Sequence, residues 1–182
     1  MWTWIIVGVV VLLLVMWLIG LYNKLVRQRN VVEEAFSTMD VYLKQRWDAI
    51  PNFVEIVKGY AKHEAETFEK VVKLRSGYNN MSTNEKIEAN KELSQGLGRL
   101  MAVAEAYPEL KANSNFQDLS NKLQKVEDHI ANARKYYNGS VKEFNNLIEV
   151  FPNNLVSGLF GFKRYSMFEI ASQERENVKV KF

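Results

Sequence analysis

The sequence predicts an all-α protein, with one N-terminal transmembrane helix followed by an antiparallel bundle of long helices. Three observations carry that prediction. The chain opens on an uncharged run from Met1 to Asn23. Beyond it, large apolar residues recur at three- and four-residue spacing, the period of a helix with one buried face. Finally, only three prolines and nine glycines occur in 182 residues, too few for strands joined by frequent tight turns.

As a helix, the opening run spans roughly 30 Å, the thickness of a bilayer's hydrocarbon core. Trp2 and Trp4 mark one edge, and Trp17 and Tyr22 the other, in the manner of interfacial aromatic belts. A cleaved signal peptide would need a basic leader, a shorter apolar stretch and a small-residue cleavage site, and the sequence supplies none of these. No Lys or Arg precedes the run, whereas Lys24, Arg27 and Arg29 follow it closely. The positive-inside rule then predicts a single-pass protein of the cell membrane, N-terminus outside and C-terminal domain cytoplasmic. The expected division is a 1–23 anchor and a 24–182 helical-bundle domain, with an aromatic-rich segment at 152–182.

Past the anchor, Leu25, Val32, Phe36, Met39 and Leu43 continue one stripe with no break from the span. A second segment carries Phe53, Val57, Tyr60, Phe68, Val71 and Tyr78. Between the two, Asp48 can cap a new helix with Pro51 in its first turn, where a missing N–H costs little. Trp47 and Ile50 would fill the inside of that corner. A single helix running through Pro51 is the competing reading. "SGYNNMSTNEK" breaks the pattern, and Ser82 or Thr83 is placed to cap a third helix. That helix bears Ile87, Leu93, Leu97, Leu100 and Tyr107 and ends near Pro108; Gly96 and Gly98 weaken it or admit a close neighbour. The fourth is the most regular: its stripe runs from Phe116 through Leu123, Ile130, Tyr137 and Phe144 to Phe151, where Pro152 stops it. So long a stripe indicates bundle or coiled-coil packing. Only the terminal "NVKVKF" alternates like a strand, and it is short enough to be a frayed tail.

The same residues argue against a self-contained enzyme. Cysteine is absent, which removes disulfides, thiolate metal sites and Cys nucleophiles together. His63-Glu64 resembles the start of a zinc-protease motif, but position 67 is Thr67 where the second His is required. His129 is the remaining imidazole. A site drawing on His63, His129, Glu64 and Asp128 is weaker than the reading of both histidines as exposed helix-surface residues. The acidic neighbours Glu33 and Glu34, or Glu127 and Asp128, point about 100° apart on a helix and do not share a site. "GLFGF" lacks the Lys and flanking strand of a phosphate loop. No catalytic, metal-binding or cofactor-binding residues are assigned. A net charge of +3, without a basic stripe interleaved with aromatics, gives no ground for nucleic acid as a partner.

The end of the chain is dense in aromatics, and Leu159, Phe160, Phe162, Lys163 and Arg164 are candidate oligomer or lipid contacts. The alternative is that the segment caps the end of the bundle.

Three stretches carry a family resemblance: "GLYNKLVRQRNVVEEAFSTMDVYLKQRWDAIPNFVEIVKGYAKHE", "AYPELKANSNFQDLSNKLQKVEDHIANARKYYN" and "FPNNLVSGLFGFK". In their order and spacing the chain resembles the LemA family of bacterial membrane proteins over essentially its whole length. Trp47 and Phe53 stand where family members often have other aromatic or aliphatic residues. The resemblance implies one N-terminal membrane helix and a bundle of long helices, with no established catalytic activity to carry over. A relative in magnetotactic bacteria takes part in forming magnetosome membranes, which directs expectation toward membrane organisation, although fold likeness alone is weak evidence of function. The leading expectation is a membrane-anchored, non-enzymatic scaffold that self-assembles into a homo-oligomer and organises or remodels the bilayer. The alternative is a membrane-tethered adaptor or signalling partner for another protein, whose identity the sequence does not name.

Overall fold

A computed structural model describes residues 1–60 and 78–168. All regular structure in them is helical: α1 (Trp2–Lys58), a 3-10 turn (Tyr78–Asn80), α2 (Thr83–Glu105), α3 (Pro108–Lys111), α4 (Ser114–Glu149) and α5 (Asn153–Phe160). The chain packs as two compact units. The first comprises Met1–Ser37 with Lys135–Met167, the second Thr38–Arg134 with Phe168–Phe182. Both α1 and α4 therefore contribute to each.

α1 corrects the expected corner at Asp48–Pro51: it is one helix with Pro51 inside it. An interior proline removes one backbone hydrogen bond and costs about 3 kcal/mol. Here the apolar stripe does not pause at the proline. Trp47 and Ile50 before it, and Phe53, Val54 and Val57 after it, are all buried. Turning the chain at Asp48 would take one half of that stripe off the core. At roughly 1.5–3 kcal/mol for each large side chain buried, the stripe outweighs the lost bond.

In the second unit α1 and α4 run antiparallel, with Tyr42 stacked on His129 at 4.9 Å and Phe53 against Phe116 at 5.4 Å. α2 runs in the same direction as α1: Asp40 accepts a bond from Lys86, and six residues on Arg46 donates to Asn90 and Ser94. Arg46 is only 3% exposed, a position tolerable for a guanidinium because its charge is paired and both terminal nitrogens are bonded. Nη1 and Nη2 serve Asn90 and Ser94 at 3.0 Å each, and Glu127 of α4 forms an ion pair with Nε at 2.7 Å. Asp40 ties the 3-10 turn to the bundle by accepting from the Tyr78 hydroxyl at 2.6 Å as well.

Ser82 is the cap of α2, as its position before the apolar run suggests. It forms a full capping box, its Oγ accepting from the Glu85 N–H while the Glu85 carboxylate accepts from the Ser82 N–H. Asn113 does the corresponding work for α4, its Oδ1 accepting from the Phe116 N–H at 3.1 Å. The α4 stripe is buried at Phe116, Leu123, Ile130, Ala133, Tyr137, Val141, Phe144 and Ile148. Its expected last member, Phe151, is instead exposed: α4 has already ended at Glu149. Phe68, Val71 and the terminal "NVKVKF" lie outside the described residues.

Candidate membrane-interface site

The first unit holds the N-terminal run and the aromatic C-terminal segment, and the two meet. Every residue from Met1 to Gly20 is exposed, so none of the described residues buries the apolar helix over that length. Trp2, Trp4, Trp17 and Tyr22 are all exposed along it. At its end the Tyr22 ring lies 4.8 Å from Phe160 and 5.9 Å from Phe162.

The sequence analysis did not foresee α5. Its eight residues, NNLVSGLF, carry no charge, and they follow a turn at Phe151–Pro152. Val156 and Ser157 face inward, with the Ser157 hydroxyl directed at the Ile148 carbonyl at 2.8 Å. Gly161, at φ 70°, ends the helix in the left-handed conformation that glycine adopts without a Cβ penalty. The Phe162 N–H then closes on the Ser157 carbonyl at 3.0 Å, which turns the chain back toward α1 and α4.

Past that turn the extended segment is pinned to α4 by side chains. Asn145 holds Tyr165 as a strand partner would: Oδ1 accepts from the Tyr165 N–H and Nδ2 donates to its carbonyl, both at 3.0 Å. The Tyr137 hydroxyl donates to the Ser166 carbonyl at 2.9 Å, and the Tyr165 hydroxyl donates to Glu33 at 3.1 Å. Burial, with Tyr165 adding, pushes the Tyr137 hydroxyl up to about 12. Burial and then the Glu33 charge raise Tyr165 as well.

The C-terminal segment thus divides. Phe162 is half-buried and contacts Phe144 and Tyr22, so it belongs to the packing. Leu155, Leu159 and Phe160 stay 65%, 80% and 58% exposed. Between them and α1 runs a half-open apolar groove of about 300 Å³. Its α1 wall is Val15, Leu18, Ile19 and Tyr22, one stripe at three- and four-residue spacing; Leu155, Leu159 and Phe160 stand across from it. Lys24 and Arg27 follow the groove on α1, and Lys163 and Arg164 follow it after α5. Arg29 pairs with Glu33 at 3.6 Å and lies over the Phe162 ring; Arg164 pairs with Glu149 at 2.7 Å. Among the described residues no cluster of three or more His, Asp or Glu could hold a metal ion. His129 stacks on Tyr42, and His63 lies outside those residues.

A helical, membrane-associated protein is the class this arrangement defines. The chain belongs to the LemA family, whose model matches residues 35–182. It is 26% identical over 162 residues to protein LemA of Metamycoplasma hominis, covering 88% of this chain and 74% of that one. It is also 37% identical over 73 residues to magnetosome protein MamQ 2 of Paramagnetospirillum magneticum, covering 40% of this chain but 27% of the relative. MamQ of Magnetospirillum gryphiswaldense gives a similar match, 35% over 72 residues.

Proposed function

We propose that this protein is a non-enzymatic scaffold, anchored by residues 1–23, that assembles with copies of itself and organises or remodels the bilayer. One observation carries the reading: α5 is held against the end of the apolar helix while presenting Leu155 and Leu159 outward. A segment packed on Val15–Tyr22 shares the medium around that stretch, and for an uncharged, uncovered helix of this length the medium is lipid. α5 then lies in one leaflet near the boundary of headgroups and acyl chains, where an apolar helix displaces lipid and adds area to that leaflet alone. Tethering raises the effective concentration of the bundles at the surface, so weak contacts between copies suffice for assembly, and many wedges act together. The positive-inside rule places Lys24, Arg27 and the bundle on the cytoplasmic side. The likeness to magnetosome proteins supports the same direction.

The test is cryo-electron microscopy of full-length protein in vesicles, beside a Leu155→Ser/Leu159→Ser variant. The expected result is regular assemblies on bent bilayer for the native chain and flat, still membrane-bound protein for the variant. Isolated particles on flat bilayer in both would refute it. A stoichiometric partner protein recovered from native membranes would move the assignment to an adaptor.

A further inference from the structure

We infer that residues 150–162 form a second membrane segment, a re-entrant hairpin seated in the acyl region of the leaflet on the bundle's side. The inference deepens the proposed function, extending the lipid contact from α5 to the whole stretch around it, and rests on residues 1–23 being the membrane anchor. Level, the course of the chain and exposed chemistry carry it.

Within the first unit α4 runs antiparallel to α1: Phe36 lies against Tyr137 at 5.6 Å, and Gln28 donates to Glu143 at 3.2 Å. Glu149 stands six residues past Glu143, and six residues before Gln28 is Tyr22. The two helices rise equally per residue, so α4 ends level with Tyr22, at the edge of the uncharged run. Charge stops at this level on three segments. It begins at Lys24 on α1, ends at Glu149 on α4 and resumes at Lys163 on the returning chain. None of the thirteen residues between Glu149 and Lys163 is charged. Leu155 and Leu159 share the groove with Val15, which lies about 10 Å beyond Tyr22 along the span.

The course of the chain makes this stretch a hairpin. Gly161 turns it back, Phe162 returns to Phe144 at 6.4 Å, and Arg164 pairs with Glu149 at 2.7 Å. Entry and exit are clasped together, so the stretch enters a leaflet and leaves it on the same side. In lipid a backbone group without a partner is costly. Here the Asn154 N–H donates to the Val150 carbonyl, the Phe162 N–H to the Ser157 carbonyl and the Ser157 hydroxyl to the Ile148 carbonyl; Pro152 has no N–H to satisfy. Phe151 is 78% exposed, and with Leu155, Leu159 and Phe160 it presents four large apolar side chains outward. Asn154 is the exposed amide among them. Burying one such apolar side chain is worth about what an amide without a partner costs, so four outweigh one. Continuity names the occupant: the surface adjoins the part of α1 that no described residue buries, and lipid around the one is lipid around the other. Without charge of its own, the hairpin gains from apolar insertion alone and needs no anionic headgroup.

Spin labelling tests this on the full-length protein, which has no cysteine of its own to remove. Phe151→Cys and Leu159→Cys probe the hairpin; both side chains are exposed, so labels there disturb little packing. Leu12→Cys marks the span, and Lys142→Cys, exposed on α4, marks the aqueous side. In vesicles of phosphatidylcholine, electron paramagnetic resonance reads the access of oxygen and of a water-soluble nickel chelate to each label. The expected result is that positions 151 and 159 follow position 12, with oxygen access gained and nickel access lost relative to position 142. Nickel access equal to that at position 142 overturns the inference. So does position 159 in lipid with position 151 in water, which would leave α5 alone at the surface. Shielding from both reagents, with spin–spin broadening between copies, overturns it by putting a second chain there. Carbonate extraction separates the two levels: release from membranes removes the anchor reading and the hairpin together, whereas retained protein with wet labels removes only the hairpin. Labels in lipid on vesicles that stay flat and unassembled uphold the hairpin and remove only the remodelling role.

Discussion

Asn145 shows how much one side chain can decide. It is buried on α4, beside the apolar stripe, and it supplies both a donor and an acceptor to the backbone of Tyr165. Without it, two partly buried peptide groups of a segment with no ladder of its own would lack partners. Asn145→Leu is therefore expected to cost about 2 kcal/mol and to free the segment around Tyr165. Hydrogen exchange reads the effect: the Tyr165 amide should lose protection while amides of α2 keep theirs. Asn145→Asp keeps the acceptor for the Tyr165 N–H but opposes its carbonyl, so it should fall between the two. Unchanged protection at Tyr165 in Asn145→Leu would show that the segment is held by Tyr137 and the aromatic contacts instead.

Among the elements, α1 is where local preference and packing pull against each other. Pro51 leaves the carbonyl of Trp47 without its intrahelical donor. Because the helix continues regardless, restoring the N–H should help. Pro51→Ala is expected to stabilise the protein by about 2 kcal/mol, the helix gain reduced by the looser unfolded chain. Thermal unfolding of the full-length protein in detergent should shift upward by a few °C. A lower midpoint would mean that the proline ring itself fills space in the packing. α5 presents the opposite case, a helix too short to persist alone. It owes its existence to Val156 and Ser157 seated on the unit and to the Gly161 ending.

At the scale of the whole molecule, its buried tyrosines make stability sensitive to alkali. An unfolded tyrosine loses its proton near 10, whereas Tyr137 holds its own to about 12, chiefly through burial. Tyr165 is raised likewise, and burial with a bond to Asp40 raises Tyr78 further. Between those values the native state binds more protons than the unfolded one, so stability falls as pH rises. The contribution is complete below about pH 10 and gone above about pH 12. For Tyr137 alone it amounts to about 2–3 kcal/mol. Denaturant unfolding in detergent from pH 8 to 12 checks this: the native chain should weaken steeply above pH 10, and Tyr137→Phe should weaken less steeply by about one proton. Identical slopes would show that Tyr137 ionises as easily as in the unfolded chain.

The sequence by itself determined the helical class, the uncharged N-terminal run, the cap at Ser82 and the buried face of α4. Each is written in nearest-neighbour chemistry: the spacing of apolar residues, a Ser-x-x-Glu box, a run without charge. The tertiary structure decided the course of α1 through Pro51, because only the positions of packed neighbours show that the stripe on both sides shares one core. It also decided which aromatics at the chain's end are packed and which face outward. Phe160 and Phe162 are two residues apart and alike in chemistry, yet the Gly161 turn sends one into contact with Phe144 and leaves the other largely exposed. The groove was beyond the reach of sequence for the same reason. Its two walls, at Val15–Tyr22 and Leu155–Phe160, are some 140 residues apart, and apolar spacing reports that each has a face without saying which faces meet.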